Sequence, residues 1–367
     1  MRILFIFYIT FLTCPEITVA QVSLANAKRA ENTLYNVLDK NVGQMFSFIK
    51  VDKYLDRSKM DKSKCDNIIY LAYGTEFFKR VFEGGLDIRW FGCTETSTDN
   101  HAIISQVLAR YRTAYIPRGV FPTYGTITVP ESAQLYGAGN SSILKLVSKS
   151  PLTGINVYRW GSLQDFKLDC SSTDMDVSPA ILVRSWDQVH SNTGESTFRN
   201  LEIVGNYPQL QGVGIKLEIK PDRPTDYSVI FFCKFYNIDI YGFRDGIFLD
   251  LQYQRGKNIS FINANIFENI IIHRCLRPLR LINTADATDV ISGKSNIASN
   301  YFKQIIIQHV VGDFPAIYMD GAGYNDVSAQ ISDWTGNHVE ATSKSVNNSF
   351  NILPADPAKI KQGTLAK

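Results

Sequence analysis

A short phrase recurs five times between residues 163 and 309: an apolar or aromatic residue, a polar pair, then alternating apolar residues, mostly Ile or Leu. The copies begin at Leu163, Phe198, Phe235, Phe267 and Phe302, which are 35, 37, 32 and 35 positions apart (198−163, 235−198, 267−235, 302−267). Self-similarity at a period of roughly 20–50 residues marks a repeat architecture, in which each unit buries its apolar face only by stacking on its neighbours. Within each copy, inward apolar residues alternate with outward ones, which is the period of a strand. A second short apolar strand follows each copy, at 180–184, 214–218, 246–250, 278–282 and 316–320. The gaps between strands vary, as a solenoid with insertions in its turns allows. No segment here has the longer 3.6-residue period that helical repeats need. The chain therefore reads as all-β: a parallel β-helix, one coil per repeat, with like strands stacked about 4.8 Å apart. The inward pairs would be Phe166 and Leu168, Leu201 and Ile203, Ile238 and Ile240, Ile270 and Ile272, and Ile305 and Ile307.

With 367 residues, 45% of them hydrophobic, the chain can build a large core. A net charge of +3 without a Lys/Arg-rich run excludes nucleic acid as the expected partner. Aromatic residues make up 12%, which suits stacked ladders inside a solenoid or contacts to sugars. Residues 1–20 read as a signal peptide: Arg2, an apolar run from Ile3 to Cys14, and a small-residue end at Ala20. That run is too short to span a membrane, and no other candidate span is found, so export to a periplasm, cell surface or medium is expected. The five remaining cysteines, Cys65, Cys93, Cys170, Cys233 and Cys275, are odd in number and lack metal-ligand spacing. Neither a disulfide framework nor a metal or other cofactor is expected, and Cys170 falls on an inward position.

Residues 21–87 read as a lead-in region, with an amphipathic helix over 27–38. Thr98, Asp99 and Asn100 can cap a helix from His101 to Arg110, whose Ile103, Ile104, Val107 and Leu108 form one stripe suited to covering the open end of a solenoid. The order of motifs around this helix is distinctive. Trp90-Phe91-Gly92 and Thr98-Asp99 precede it. Tyr115-Ile116-Pro117-Arg118-Gly119-Val120-Phe121, Ile127-Thr128-Val129-Pro130, Leu135-Tyr136-Gly137-Ala138-Gly139 and Ser142-Ile143-Leu144 follow it. This order resembles the opening of the pectate-lyase-like β-helix family, most closely its branch of bacteriophage tailspikes and capsule depolymerases. Phe48-Ile49-Lys50-Val51-Asp52 and the stretch up to Trp90 also resemble the lead-in of those tailspikes.

The resemblance implies a right-handed coil over residues 88–340, a polar tail over 341–367 and a polysaccharide as substrate or ligand. It also raises a homotrimer as a candidate assembly. Glu95-Thr96-Ser97 stands where the family has Asp-Gly, Asn100 stands where it has a second Asp, and the paired-Asp and His signatures of the polygalacturonase branch have no match. The resemblance therefore assigns no catalytic residues. The leader and the short polar C-terminal stretch favour an exported relative over an intact virion spike.

The repeat register places outward residues in columns. From the second strands come Leu182, Lys216, Phe248, Arg280 and Tyr318, and beside them Arg184, Glu218, Asp250, Ile282 and Asp320. This is the preferred site. Aromatic rings suit sugar faces, and Lys216 and Arg280 suit uronate carboxylates. Glu218 and Asp250 would stand roughly 5 Å apart, and Asp250 and Asp320 roughly 10 Å, near retaining and inverting glycosidase spacings. Stacked like charges should raise one carboxyl pKa, as a general acid requires. The second choice is the first-strand face, with Lys167, Glu202 and Asp239 in one column and Tyr241 and His273 in the next. A base there could take the proton beside a uronate carboxyl while a cation stabilises the enolate. Ile271 and Ile306 continue the first of these columns as an apolar strip. Asn200, Asn237 and Asn269 recur at one position and read as a hydrogen-bonded ladder at a bend. The expected function is cleavage of an acidic extracellular or capsular polysaccharide, by hydrolysis or β-elimination. The competing readings are a non-catalytic carbohydrate-binding surface protein and a tailspike-like attachment protein.

Overall fold

Each copy of the repeated phrase forms a strand that pairs in parallel with the same strand of the next coil. In the computed structural model these strands are Ser162–Asp169, Thr197–Val204, Lys234–Tyr241, Ile266–His273 and Tyr301–Gln308. Phe166, Leu201, Ile238, Ile270 and Ile305 stack in register and are buried, as are Leu168, Ile203, Ile240, Ile272 and Ile307. The second strands, Pro179–Ser185, Val213–Ile219, Asp245–Leu251, Arg277–Asn283 and Ile317–Asp320, stack the same way into a second sheet. The protein is a parallel β-helix.

The structure describes residues 6–7, 20–21, 34–39, 41–185, 192–220, 228–253, 259–309 and 312–363. Apart from residues 6–7 and 20, the expected signal peptide lies outside them. The chain divides into two compact units, Met1–Thr94 and Glu95–Lys367. The division falls after the expected 87/88 boundary and leaves the Trp90-Phe91-Gly92 motif in the first unit.

The second unit is the solenoid, and it exceeds the five recognisable repeats at both ends. Its first sheet runs from Thr113–Ile116 to Ser349–Leu353, and its second from Ile127–Val129 to Ile360–Gln362. The stretch expected as a polar tail over 341–367 therefore carries ladder strands. A parallel ladder is held by backbone groups, and Ile352 alone of Ser349–Leu353 is buried, so no apolar alternation betrays the strand in the sequence. A third sheet also went unexpected. Its strands, Asn192–Gly194, Ser228–Phe231, Ser260–Asn263, Ser295–Ala298 and Ala322–Gly323, have two to four residues, too few to show a period.

Three ladders run along the solenoid. The rings of Phe198, Phe235, Phe267 and Phe302 are fully buried and near-parallel, with centroids 4.4, 4.4 and 4.7 Å apart. At the bend inside each long strand, Asp165, Asn200, Asn237 and Asn269 all have φ between 52° and 58°. This is the left-handed region that Asn and Asp tolerate better than other side chains. Each Asn donates from Nδ2 to the oxygen one coil back, at 2.7, 3.1 and 2.7 Å. A second ladder, buried at Asn265, Asn300 and Asn325 and half-buried at Asn348, joins these four, each donating to the next at 2.9–3.0 Å. Cys170, Cys233 and Cys275 are buried thiols, and burial pushes Cys233 and Cys275 up to about 12.

The expected helix is His101–Tyr111, with Ile104, Val107, Leu108 and Tyr111 buried and the helix set against Thr113–Ile116 and Ile127–Val129. Asp99 fixes its start, accepting from the backbone N–H of His101 at 3.0 Å and of Tyr124 at 2.9 Å.

The first unit corrects another expectation. Leu34–Asp39, the described end of the helix expected over 27–38, is a strand; residues 27–33 lie outside the described residues. It pairs antiparallel with Gln44–Val51 in a four-stranded sheet completed by Glu76–Arg80 and Tyr70–Tyr73. Burial of Val37 against Phe48 and Phe78 overrides the local helical spacing. The guanidinium of Arg80 lies against the rings of Phe46 and Trp90, at 3.5 and 4.1 Å, and pairs with Asp39 at 2.7 Å.

Candidate functional site

The second-sheet column forms in the expected register. Leu182, Lys216, Phe248, Arg280 and Tyr318 stand side by side, with Arg184, Glu218, Asp250, Ile282 and Asp320 beside them. Its electrostatics differ from expectation. Glu218 and Asp250 are only 5% and 7% exposed, and Lys216 Nζ lies between them at 2.6 and 2.8 Å. Glu218 also pairs with Arg184. Burial alone would push the Glu218 carboxyl up, but Lys216 and Arg184 outweigh it and hold it below its ordinary value. The raised carboxyl expected of a general acid is not found at Glu218, because a cation sits where like-charge repulsion was expected.

The remaining members of this face are also engaged. Lys216 and Arg280 approach the ring of Phe248 at 5.3 and 4.6 Å, and Arg280 binds Asp245 at 3.0 Å. Asp320 accepts from Thr342 at 2.7 Å and pairs with Lys344 at 3.1 Å. Burial pushes the Tyr318 hydroxyl above its ordinary value, and Asp320 and Glu340 add to this. The face is a ladder of closed ion pairs.

The first-sheet face is organised differently. Lys167 and Glu202 pair at 2.7 Å on adjacent coils. On the next two coils, His273 Nε2 lies 2.8 Å from Asp239 Oδ1. The ring of Tyr241 lies 5.0 Å from that of His273 and 5.8 Å from that of Tyr207. The guanidinium of Arg274 stands 5.0 Å over the ring of Tyr207, which is 39% exposed. Tyr207 and Arg274 escaped sequence reasoning because both lie just beyond the strand ends, in turns that follow no alternation. Ile271 and Ile306 continue the column beside Asp239 and are half-buried.

With Nε2–H donated to Asp239, the neutral imidazole of His273 keeps its Nδ1 lone pair as a base. Tyr241 stands beside that base and Arg274 over Tyr207 on the same face, so this face has the parts for proton transfer beside an anionic group. Among the described residues no cluster of His, Cys, Asp and Glu could hold a metal ion. None of the described helices is long and apolar enough to cross a membrane.

Fold and site together define a parallel β-helix with charged and aromatic columns along its sheets. Compared with solved structures, the chain is similar to the enzymatically active domain of tailspike protein 4 of bacteriophage CBA120. The TM-score is 0.53 at 11% identity, over 92% of this chain and 49% of that one. It is also similar to tailspike protein 2 of an Escherichia coli O157:H7 bacteriophage (TM-score 0.40, 12% identity, 90% and 49% covered). A third likeness is to the A-module of a mannuronan C-5 epimerase from Azotobacter vinelandii (TM-score 0.32, 13% identity, 74% and 100% covered). This chain thus spans about half the length of each tailspike it matches, and at these identities the likeness is one of fold. No family model and no curated protein matches the sequence.

Proposed function

We propose that this protein acts on an acidic extracellular polysaccharide by β-elimination, at the first-sheet face. The observation that carries the reading is the His273–Asp239 pair, with Tyr241 beside it. In this reaction a base removes the proton next to a uronate carboxylate. The electrons form a ring double bond as the glycosidic C–O bond breaks, and an acid protonates the departing oxygen. His273 Nδ1 serves as the base and Tyr241 as the acid. Asp239 holds the imidazole in its working tautomer. Arg274, with Lys167 two coils from Asp239 on the same face, meets the carboxylate whose charge grows as the proton leaves. Tyr207 offers an exposed ring to a sugar face. Export follows from the leader-like first twenty residues. The tailspike domain that shares the fold is described as enzymatically active, which is consistent with this reading.

A second reading has an observation of its own. All five candidate carboxylates, Glu202, Asp239, Glu218, Asp250 and Asp320, already have a cationic or imidazole partner. That pattern suits a rigid carbohydrate-binding surface with no turnover.

One assay separates the readings. The full chain is incubated with a panel of acidic polysaccharides while reducing ends and the ultraviolet absorbance of unsaturated uronates are followed together. Both rising, and both lost in His273→Ala, is the expected result. Reducing ends rising alone would move the chemistry to hydrolysis and to Glu218, Asp250 and Asp320. Neither rising, with binding retained, would establish the non-catalytic surface.

A further inference from the structure

At the corner where the first sheet passes into the second, three arginines converge on one carboxylate. Asp245 is fully buried, and it accepts from Arg244 Nε at 3.1 Å, Arg277 at 2.7 Å and Arg280 at 3.0 Å. A carboxylate neutralises one guanidinium, so the cluster carries two surplus positive charges (3 − 1 = 2). Burial and the neighbouring guanidiniums together outweigh Asp245 and hold Arg277 below its ordinary value. Among the described residues, Arg277 Nε is buried with no hydrogen-bond partner. The three side chains retain some exposure, so the cluster can meet a ligand. Beside it, the ring of Phe314 is 46% exposed and lies 5.9 Å from the Arg277 guanidinium. The loop carrying that ring is tied down, because the Phe314 carbonyl accepts from Trp334 Nε1 at 2.9 Å.

A clasp that only closed the corner would be complete with one arginine. The two further guanidiniums repel each other and the first unless an anion joins them. Guanidinium pairs match the planar oxygens of carboxylates and the oxygens of sulfate, and an exposed phenyl ring beside them matches a sugar face.

We propose that Arg244, Arg277 and Arg280, held by Asp245 and flanked by Phe314, form a subsite for the anionic substituent of a sugar, either a uronate carboxylate or a sulfate ester. Along the chain, Arg244 lies three residues beyond Tyr241, and Arg277 lies four beyond His273. The subsite therefore follows directly on the strand ends that carry the first-sheet face. The proposal rests on the reading of this protein as one that binds an acidic glycan, and it does not depend on turnover.

The test uses the full chain and monomeric anions, with no polymer. Thermal unfolding is followed in sodium glucuronate and in sodium sulfate, against sodium chloride of matched ionic strength and against glucose. Wild type is compared with Arg277→Gln. The expected result is stabilisation by glucuronate, by sulfate or by both, with the half-saturating concentration raised about tenfold or more in the variant. Glucuronate alone would assign a carboxylate, and sulfate alone a sulfate ester. The general salting effect of sulfate is shared by both proteins and cancels in the comparison. If Arg277→Gln does not fold, Arg244→Gln, which removes a single bond to Asp245, takes its place. No stabilisation beyond chloride, or equal stabilisation in wild type and variant, would overturn the proposal. Loss of the β-elimination reading in the polymer assay would leave this result standing, since it measures binding of the anion itself.

Discussion

Asp239 and His273 stand on adjacent coils of the solenoid with 2.8 Å between Oδ1 and Nε2. Thirty-four residues separate them in the chain, yet the parallel register sets Asp239 one column over from Tyr241, which is itself opposite His273. The pairing gives a base, its orienting carboxylate and a neighbouring phenol without a loop to position any of them.

Asp239→Asn should leave the fold intact and lower turnover by about 10²–10⁴, the usual range for a group acting on proton transfer. Substrate binding should change little. The rate of unsaturated-uronate formation, measured beside a binding isotherm, checks this. A parallel loss of binding would make Asp239 a binding residue and remove its orienting role.

Lys216→Met should be strongly destabilising, by about 3–5 kcal/mol at pH 7, because it leaves buried Asp250 without its cation and Glu218 with Arg184 alone. The dependence on pH has a definite sign. The Glu218 carboxyl is held below its ordinary value in the folded wild type by Lys216 and Arg184. Its stabilisation is therefore present above that value and is lost as pH falls through the lowered one. Without Lys216 the depression is weaker, so the gap between variant and wild type should narrow as pH falls from 7 through the ordinary carboxylate range and below it. Denaturant midpoints at several pH values measure it, and a gap constant with pH would contradict the assignment.

Asn237→Ala and Asn237→Gly should differ. Asn237 has φ 53°, accepts from Asn269 and donates to Asn200. Alanine loses the ladder bonds and also pays for the left-handed backbone, about 1–2 kcal/mol on top of about 0.5–1.5 kcal/mol per bond. Glycine loses the bonds alone. The glycine variant should melt above the alanine variant; the reverse order would mean that side-chain packing dominates at this bend.

Phe235→Ala removes the second ring of the stacked column and should cost about 3–5 kcal/mol. Phe235→Leu should cost less, since it refills most of the volume and loses chiefly the ring stacking. Comparing the two by chemical denaturation separates packing volume from aromatic contact.

Where an element could be read in advance, one residue type repeated at one place in the coil. Phe198, Phe235, Phe267 and Phe302 announced the stacked core, and Asn200, Asn237 and Asn269 announced the bend. The buried ladder from Asn265 to Asn348 was missed, since Asn stands two residues before the phrase in only two of its five copies, Asn265 and Asn300, while Gly161, Ser196 and Cys233 fill that place in the others. The strand Leu34–Asp39 was missed because its partner strand, and not its own spacing, decides its conformation.

By itself the sequence determined the coil. Alternation of period two, repeated about every 35 residues, can bury its apolar half only by stacking strands in parallel, and that stacking dictates which outward residues are neighbours. Only the tertiary structure decided what those neighbours do to one another. Whether Glu218 and Asp250 repel as two carboxylates or share Lys216 depends on where a flexible ammonium comes to rest. Whether Asp245 is a turn residue or the centre of three arginines depends on side chains reaching across coils. Register follows from backbone periodicity, which the order of residues carries. Charge pairing follows from distances of a few ångströms between long side chains, which that order does not contain.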